Sequence, residues 1–369
     1  RQRASYIHFE PMRDGIRIRF RIDGNLVEAM SYDMSIYTAI IARLKIISGM
    51  DISEKRKPQD GRTTMDIDHV EYDVRVSSIP TVYGEKIVMR LTNKEKLTRD
   101  KRELGLSDDD MKRFDQMLAH PHGIILVTGP TGSGKSTTLY TALSELNRET
   151  VNIVTVEDPV EANIDGVNQM QVNPKADMTF ASALRSILRQ DPDIIMIGEI
   201  RDPETAEIAV QASITGHLVA STLHTNSTSA SIARLLNMGI APYLMADALV
   251  GVVAQRLVRK LCRCKRGREA TAQEKEELGV NQDEVLTIYE PAGCQLCSQT
   301  GYFGRTAVYE MMPVTPELRW AITKMQPSSK VKEIAQREGM ITLRGSAVRL
   351  VREGVTSLEE MKKIASEED

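Results

Sequence analysis

Aromatic residues are scarce in this chain of 369 residues. Phe, Trp and Tyr make up only 4% of it, with a single Trp, whereas methionines number 18. We therefore expect aliphatic side chains to fill the cores. No sign of charge dominates either, because 48 Lys and Arg residues against 51 Asp and Glu residues leave a net charge of -3. This balance gives nucleic-acid binding no support.

Long hydrophobic runs are also missing. Spanning a bilayer takes roughly 18 apolar residues, and the nearest candidate covers only residues 246–254. The chain begins with Arg1 and carries no signal-peptide pattern, so we expect a fragment of a longer protein. Cysteines number four, which suits a reducing compartment and a special local use. The length itself predicts two or three domains.

The first part of the chain predicts a small α+β domain. Residues 16–22 alternate apolar with basic side chains, and Asp23-Gly24 is a typical hairpin turn. One face of such a sheet packs, and the other carries arginines. Further elements are predicted as a helix over residues 37–48 and strands over residues 72–77 and 86–91.

From residue 105 onward, short apolar runs alternate with helical patterns. The runs are rich in β-branched residues, as is typical of parallel strands buried on both faces. We predict strands over residues 124–127, 153–156, 194–197 and 218–222, and crossover helices over residues 182–190 and 203–213.

A glycine-rich segment with one lysine follows the first of these strands. It fits the pattern G-x-x-x-x-G-K-[ST] and leads into a predicted helix over residues 137–146. In such a loop backbone N–H groups surround phosphates, Lys135 reaches the β and γ oxygens, and Ser136 holds Mg²⁺. The alternative is a glycine turn that happens to contain a lysine. The predicted nucleotide-binding residues are Gly129, Pro130, Thr131, Gly132, Ser133, Gly134, Lys135, Ser136 and Thr137.

Two glutamates stand at the ends of predicted strands. Glu199 follows the strand over residues 194–197, where open parallel sheets bind ligands, and we assign it to orient and deprotonate the attacking water. Glu157 ends the strand over residues 153–156 and is a candidate water positioner near Mg²⁺. Gly198 replaces the acid that usually follows the apolar run, so the carboxylate nearest the metal stays open. Solvated strand-end carboxylates are the alternative for both.

Two histidines and two arginines complete the catalytic candidates. His217 and His224 bracket one predicted strand and are candidates for sensing the γ-phosphate, with ordinary core histidines as the alternative. Arg75 and Arg90 lie at matching places in two strands of the first domain. They are candidates to supply cationic charge as arginine fingers do, with surface ion pairing as the alternative.

All four cysteines fall into two close pairs. Cys262 and Cys264 are separated by Arg263, and Cys294 and Cys297 by two residues. This arrangement predicts a closed, structural S₄ zinc site, with redox-active or free cysteines as the alternative. The basic segment over residues 256–268 is interpreted as a solvated face around that site rather than as a surface for nucleic acid or lipid.

The sequence thus predicts a chain of five segments. In order they are an α+β domain over residues 1–91, a charged linker over residues 92–104, a P-loop core over residues 105–255, a tetracysteine subdomain over residues 256–310 and a helical region over residues 311–369.

Taken together, these motifs closely resemble the secretion ATPase superfamily, in particular its pilus-assembly and type II secretion branches. The chain departs from the family pattern at Tyr6, where an Asp usually precedes Ile-His. The motifs that carry the resemblance lie at residues 7–11, 75–80, 129–138, 156–160, 190–202, 215–226 and 255–257 and at the four cysteines.

The resemblance implies an α/β fold, with a RecA-like P-loop ATPase domain and a mostly parallel sheet. A smaller α+β, PAS-like domain precedes it, and a zinc-binding insertion and a helical C-terminal region follow. ATP, Mg²⁺ and Zn²⁺ are the implied cofactors. Glu199 looks like the catalytic glutamate, and Glu157, His217, His224, Arg75 and Arg90 match family motifs.

The function implied is a hexameric ATPase motor that drives type IV pilus assembly through an inner-membrane platform protein. Such a motor works at the cytoplasmic face of the bacterial inner membrane, binds no nucleic acid and meets the membrane only through partners. The cysteine insertion is typical of extension and secretion motors, so type II secretion is the close alternative. A DNA-translocating ring motor and a nucleotide-gated scaffold without turnover are the remaining alternatives.

Overall fold

The computed structural model describes residues 4–93 and 97–366. The chain forms two compact units, Arg1–Leu97 and Thr98–Asp369. The elements of the first unit are β1 (Ala4–Met12), β2 (Gly15–Ile22), β3 (Asn25–Tyr32), α1 (Tyr37–Ile47), β4 (Gln59–Ile67), β5 (Val70–Thr81) and β6 (Gly84–Asn93).

The strands of the first unit form one antiparallel sheet in the order β3-β2-β1-β6-β5-β4. Asp23 and Gly24 turn the chain between β2 and β3 with φ values of 48° and 94°, as a hairpin turn with two left-handed residues requires. One face of the sheet packs its apolar side chains with those of α1. This core contains Ile41, Leu44, Met50, Val74, Val76, Ile87 and Met89.

The second unit contains eleven further helices and nine strands within its described residues. They are α2 (Asp108–Leu118), β7 (Gly123–Thr128), α3 (Lys135–Leu146), β8 (Ile153–Glu157), β9 (Asn168–Gln171), α4 (Phe180–Ile187), β10 (Ile194–Ile197), α5 (Pro203–Ile214), β11 (Leu218–Leu223), α6 (Thr228–Asn237), α7 (Pro242–Ala248), β12 (Leu249–Leu261), β13 (Arg266–Glu269), α8 (Ala272–Glu277), β14 (Thr287–Glu290), β15 (Tyr302–Pro313), α9 (Pro316–Thr323), α10 (Ser328–Arg337), α11 (Leu343–Arg352) and α12 (Leu358–Ala365).

Seven of these strands form a mostly parallel sheet in the order β15-β12-β7-β11-β10-β8-β9. Only β15, at one edge, runs antiparallel to its neighbour. Every residue of β7, β8, β10 and β11 is buried, which explains why these strands read as short, nearly continuous apolar runs. Because parallel strands share a direction, the residues after β7, β8, β10 and β11 all emerge at one edge, the carboxyl edge.

The sheet extends past the predicted end of the core at residue 255. Strand β12 runs on to Leu261, and β15 returns beside it from Tyr302, so the cysteine-bearing segment is an excursion between two adjacent strands. That segment packs its apolar residues together with α11 and α12 in one shared core. The predicted boundaries at residues 255 and 310 therefore fall inside β12 and β15.

Residues 246–254, the longest apolar run, belong to the end of α7 and the buried first half of β12. Within residues 4–93 and 97–366, no helix combines the length and apolar character that crossing a membrane requires. The interpretation of residues 256–268 as a solvated face is wrong at its first residue. Arg256 is only 4% exposed, because β12 is still an inner strand there, between β7 and β15.

Candidate functional site

The glycine-rich loop connects β7 to α3. Lys135, only 8% exposed, is the first residue of α3 and donates hydrogen bonds from Nζ to Gly129 O at 2.7 Å and Pro130 O at 3.0 Å. Burial lowers the pKa of Lys135 to about 8, and the cation of Arg256 also acts to lower it. Ser136 is exposed one residue further along the helix. A helix N-terminus with a buried lysine beside it is suited to bind an anionic phosphate.

Strand β12 contacts the glycine-rich loop and fixes its shape. The Gln255 side chain is 2% exposed, donates from Nε2 to Ser133 O at 2.9 Å and accepts from Thr138 Oγ1 at 2.8 Å. A Cβ atom on Gly129 would lie 2.4 Å from Gln255 O, and one on Gly134 would lie 2.7 Å from Gln255 Nε2. The two glycines are therefore required by the contact with β12 as well as by their positive φ values of 150° and 91°.

Glu199 lies at the carboxyl edge, two residues after β10, and its side chain is 13% exposed. Arg201 holds the carboxylate through Nη2 at 2.6 Å from Oε1 and Nε at 2.5 Å from Oε2. His224 Nε2 is 3.4 Å from Oε2. Since Glu199 also acts electrostatically on Lys135, the structure brings together the predicted phosphate ligand, the predicted base and one predicted histidine.

Packing around Gly198 is tight. A Cβ atom there would lie 3.3 Å from Glu157 Cα, so β8 would have to give by a few tenths of an ångström, whereas 3.4 Å to Val156 O is at the limit of ordinary van der Waals contact. This contact disfavours a side chain at residue 198. The acid that follows β10 is carried by the next residue, Glu199.

Glu157 is placed differently from Glu199. It is 3% exposed and accepts hydrogen bonds from Tyr140 OH, from Thr155 Oγ1 at 2.6 Å and from Gln169 Nε2 at 3.0 Å. In the strand order β8 lies three places from β7, roughly 14 Å away at the usual strand spacing. Protein donors thus occupy both carboxylate oxygens, and they tie α3, β8 and β9 together.

The two predicted histidines lie at opposite ends of strand β11. His224 follows β11 at the carboxyl edge, where burial and the charge of Lys135 lower its pKa, so the ring is neutral near pH 7. His217 precedes β11, and its Nδ1 lies 2.9 Å from Ala212 O. A strand of this length separates them by roughly 20 Å. The structure therefore does not bring His217 to the phosphate loop of its own unit.

Arg75 and Arg90 are direct cross-strand neighbours in the first unit. Tyr6 pairs with Arg90 on one side and with Arg21 on the other, and Arg62 pairs with Arg75, so one row across the sheet holds four arginines and a tyrosine. Tyr6, Arg62, Arg75 and Arg90 line a cavity of about 600 Å³. Buried Asp73 orients the row, since its carboxylate accepts from Arg62 Nε at 2.6 Å and lies 3.6 Å from Arg75 Nε. The sequence predicted that Arg75 and Arg90 occupy matching positions in two strands, and the register of β5 and β6 makes them adjacent.

The four cysteines converge on one point. Their sulfurs lie within 4.8 Å of one another, with separations of 3.8 Å for Cys262 and Cys294, 3.9 Å for Cys264 and Cys297 and 3.7 Å for Cys294 and Cys297. A tetrahedron of sulfurs about 2.3 Å from zinc has edges of about 3.8 Å. Burial acts to raise the pKa of Cys297, but backbone N–H groups of Cys294 and Gly301 outweigh it and lower the pKa to about 7. The site fits a tetrahedral S₄ metal ion.

The sequence analysis assigned no role at the site to three polar residues of the carboxyl edge: Arg201, Gln255 and Arg256. The last two interrupt an otherwise apolar run, and a polar pair inside a buried strand was the available signal. Arg201 follows Glu199 by two residues, but only the folded loop shows that it pairs with that carboxylate.

Comparisons with known proteins agree with this architecture. Residues 1–363 match the family described as Type II/IV secretion system protein. The chain is 47% identical over 365 residues to the "Type II secretion system ATPase E" of Vibrio cholerae, covering 99% of this chain and 72% of that protein. It is 49% identical over 366 residues to the "Type IV pilus assembly ATPase PilB" of Myxococcus xanthus, covering 98% and 65%.

Among solved structures, the pilus retraction motor PilT with bound ADP aligns with a TM-score of 0.65 at 26% identity, covering 98% of this chain and 93% of that chain. The ATPase DotB of Legionella pneumophila aligns with a TM-score of 0.72 at 22% identity over 98% of this chain and 92% of its own, which shows a shared fold. The predicted secretion ATPase and its mostly parallel α/β fold are confirmed. The chain belongs to the family of type II/IV secretion system proteins.

Proposed function

We propose that this chain is the ATP-hydrolysing subunit of a homo-hexameric motor that drives type IV pilus assembly. The observation that supports this most is the meeting of the Lys135 loop, Glu199 and His224 at one edge of the sheet. The motor acts through an inner-membrane platform protein, at the cytoplasmic face of the bacterial inner membrane. Its contact with the membrane is made by that partner.

In this proposal the loop over residues 129–137 binds ATP. Backbone N–H groups and Lys135 would hold the phosphates, and exposed Ser136 would hold Mg²⁺ through its hydroxyl. The ion would neutralise charge on the phosphate oxygens. Glu199 orients the attacking water and accepts its proton once Arg201 releases the carboxylate. Glu157 acts indirectly, by fixing the end of β8 beside Gly198.

Arg75 and Arg90 act as arginine fingers on the phosphates. Their support is the cationic row itself, in which Arg75 and Arg90 line one cavity and Asp73 pairs with Arg62 and Arg75. Guanidinium groups stabilise the charge that develops on a transferring phosphoryl group. We assign His224 to sense the γ-phosphate. His217 lies at the other end of β11, so it would act on a group other than the phosphate loop of its own unit.

We further propose that Cys262, Cys264, Cys294 and Cys297 bind a structural zinc ion. The sulfur separations support this, and a closed set of four thiolates leaves no open position for catalysis. The ion would secure the tip of the excursion between β12 and β15.

Type II secretion is a second candidate function. The relative named for type II secretion is 47% identical and the one named for pilus assembly is 49% identical, so identity hardly separates them. Pull-down of candidate platform proteins from both systems by the hexameric chain distinguishes the two. Capture of only the secretion platform would overturn the pilus assignment.

Glu199→Gln tests the hydrolytic proposal. We expect phosphate release to fall at least ~100-fold, because general-base catalysis contributes about 10²–10⁴, while the affinity for ATP stays within about threefold. Glu207→Gln, on the exposed face of α5, is the matched control and should hydrolyse ATP normally. Hydrolysis by Glu199→Gln at the wild-type rate would rule out this role. DNA should leave the wild-type rate unchanged, and DNA stimulation would favour a translocating ring.

A further inference from the structure

The loop after β11, residues 224–226, is fastened on one side to the strand that carries the phosphate loop. The Thr128 hydroxyl accepts from Thr225 N at 2.9 Å and lies 2.9 Å from Thr225 O. Thr128 is the last residue of β7 and directly precedes Gly129. The loop over residues 224–226, called the histidine loop because it begins with His224, is therefore bonded to the residue from which the phosphate loop begins.

Arg256 fastens the same loop from the other side. Its Nη2 donates to Asn226 O and Asn226 Oδ1, both at 3.2 Å, and its Nη1 donates to Gln255 O at 3.1 Å. Nη1 also lies 3.2 Å from the position that a Cβ atom on Gly129 would take. One guanidinium thus bonds β12 and the end of the loop over residues 224–226, and it occupies the space beside the first glycine of the phosphate loop.

The contact between Arg256 and Asn226 joins a buried strand residue to an exposed loop residue. Arg256 is 4% exposed, whereas Asn226, its partner, is exposed and has no strand or helix of its own to hold it. A planar guanidinium reaches several acceptors at fixed angles, which a flexible ammonium does not. Asn226 is two residues from His224, whose ring lies 3.4 Å from the Glu199 carboxylate.

We propose that Arg256 is a positioning residue for the reaction: it fixes Asn226 to β12 beside the phosphate loop and so holds His224 beside Glu199. This inference rests on the proposed function for its catalytic consequence. Small displacements of catalytic groups cost about 10²-fold in rate.

The test compares Arg256→Gln and Arg256→Lys in the full chain, with Lys260→Gln, an exposed cation of the same strand, as the control. Without nucleotide, hydrogen exchange of the peptide over residues 224–228 should rise about tenfold in both Arg256 variants, because two hydrogen bonds to Asn226 are lost. With ATP, kcat should fall about 10–100-fold while the affinity for a non-hydrolysable ATP analogue changes less than about threefold.

Asn226→Ala provides a second, milder variant in case the Arg256 variants unfold. It removes only the Oδ1 contact, so kcat should fall less than in Arg256→Gln, and combining the two changes should add nothing. Unchanged exchange over residues 224–228, full activity of Arg256→Lys, or weaker binding with unchanged kcat would each overturn the proposal. A wild-type chain that failed to hydrolyse ATP would overturn the proposed function instead and leave the exchange measurement valid.

Discussion

At the scale of single residues, the phosphate loop is shaped from two directions. Phosphate binding requires backbone N–H groups that turn inward, and glycines permit this. The contacts of Gln255 add a second requirement, because its backbone oxygen and side-chain amide fill the space that side chains on Gly129 and Gly134 would need. Gly132 has no atom within 4 Å of its Cβ position and meets only the first requirement.

Gly129→Ala should therefore cost more stability than Gly132→Ala. Both glycines have positive φ, 150° and 81°, so both variants carry backbone strain of roughly 1–2 kcal/mol. Gly129→Ala adds a clash with Gln255 O worth about 2 kcal/mol, since backbone atoms cannot move aside. Urea unfolding followed by the fluorescence of Trp320, the single Trp, measures the second unit. Equal losses in the two variants would refute the role of β12.

At the scale of elements, cross-strand ion pairs hold β1, β2 and β6 together. Glu10 is 6% exposed and accepts from Arg19 Nε at 2.8 Å and from Arg17 Nε at 3.2 Å, with Lys86 Nζ at 3.1 Å. Burial alone raises the pKa of Glu10, but the hydrogen bonds from Arg19 and Lys86 outweigh it and lower the pKa from 4.5 to about 2. One carboxylate thus joins three strands.

The lowered pKa of Glu10 makes the free energy of unfolding of the first unit depend on pH. Glu10 contributes stability that is fully present above about pH 4.5 and is lost as the pH falls toward about 2. We expect NMR to show the carboxyl titrating near pH 2 and the amides of β1 and β2 losing exchange protection in that window. Glu10→Gln should abolish the pH-dependent part, whereas exposed Glu28→Gln should retain it. A titration midpoint near 4.5 would contradict the assignment.

Zinc removal should loosen one part of the excursion between β12 and β15 and spare the rest. In the zinc proposal the cysteine tip depends on the ion, whereas Ile288 and Leu278 pack with α11 and α12 in a shared apolar core. Elemental analysis should find one zinc per chain. Chelation should raise hydrogen exchange over residues 262–266 and 293–302 more than over β13 and β14.

Cys297→Ser should release the zinc ion, and Arg263→Gln, an exposed residue between two cysteines, is the matched control that keeps it. Freshly purified chain without zinc would sink the proposal. Unfolding of the whole second unit on chelation would show that the shared core is too weak to hold β13 and β14.

At the scale of the whole molecule, the candidate chemistry is divided between two units. The phosphate loop, Glu199 and His224 belong to the second unit, whereas Arg75 and Arg90 belong to the first. The proposed binding residues and the proposed charge-stabilising residues are thus carried by separate units.

Arg75→Gln should consequently lower kcat by about 10³, the smallest effect typical of an arginine finger, and leave binding of an ATP analogue nearly unchanged. Phosphate release and analogue affinity, measured on the same preparation of the full chain, separate the two effects. Arg43→Gln, an exposed change on α1 of the same unit, should keep full activity. Weaker binding with unchanged kcat would show that Arg75 serves only to hold the nucleotide.

Sequence patterns alone predicted the elements that depend on near neighbours. The strand over residues 194–197 and the helix that follows the phosphate loop agree with β10 and α3. The loop glycines, Lys135 and the cysteine pairs were recognisable because their chemistry is written in short spacings. The exposure of Arg256 was misjudged, since a basic residue at the start of a basic run gives no sign that its strand is still buried.

The sequence by itself determined a phosphate loop, a buried parallel sheet and a cysteine set, because these depend on side-chain type and local periodicity. Only the tertiary structure decided which residues meet. Gln255 contacts Ser133 across 122 positions of sequence, and His217 and His224 separate because a strand has two ends. Strand order and register fix such contacts, and both arise from packing residues that are distant in sequence into a shared core, which no short spacing encodes.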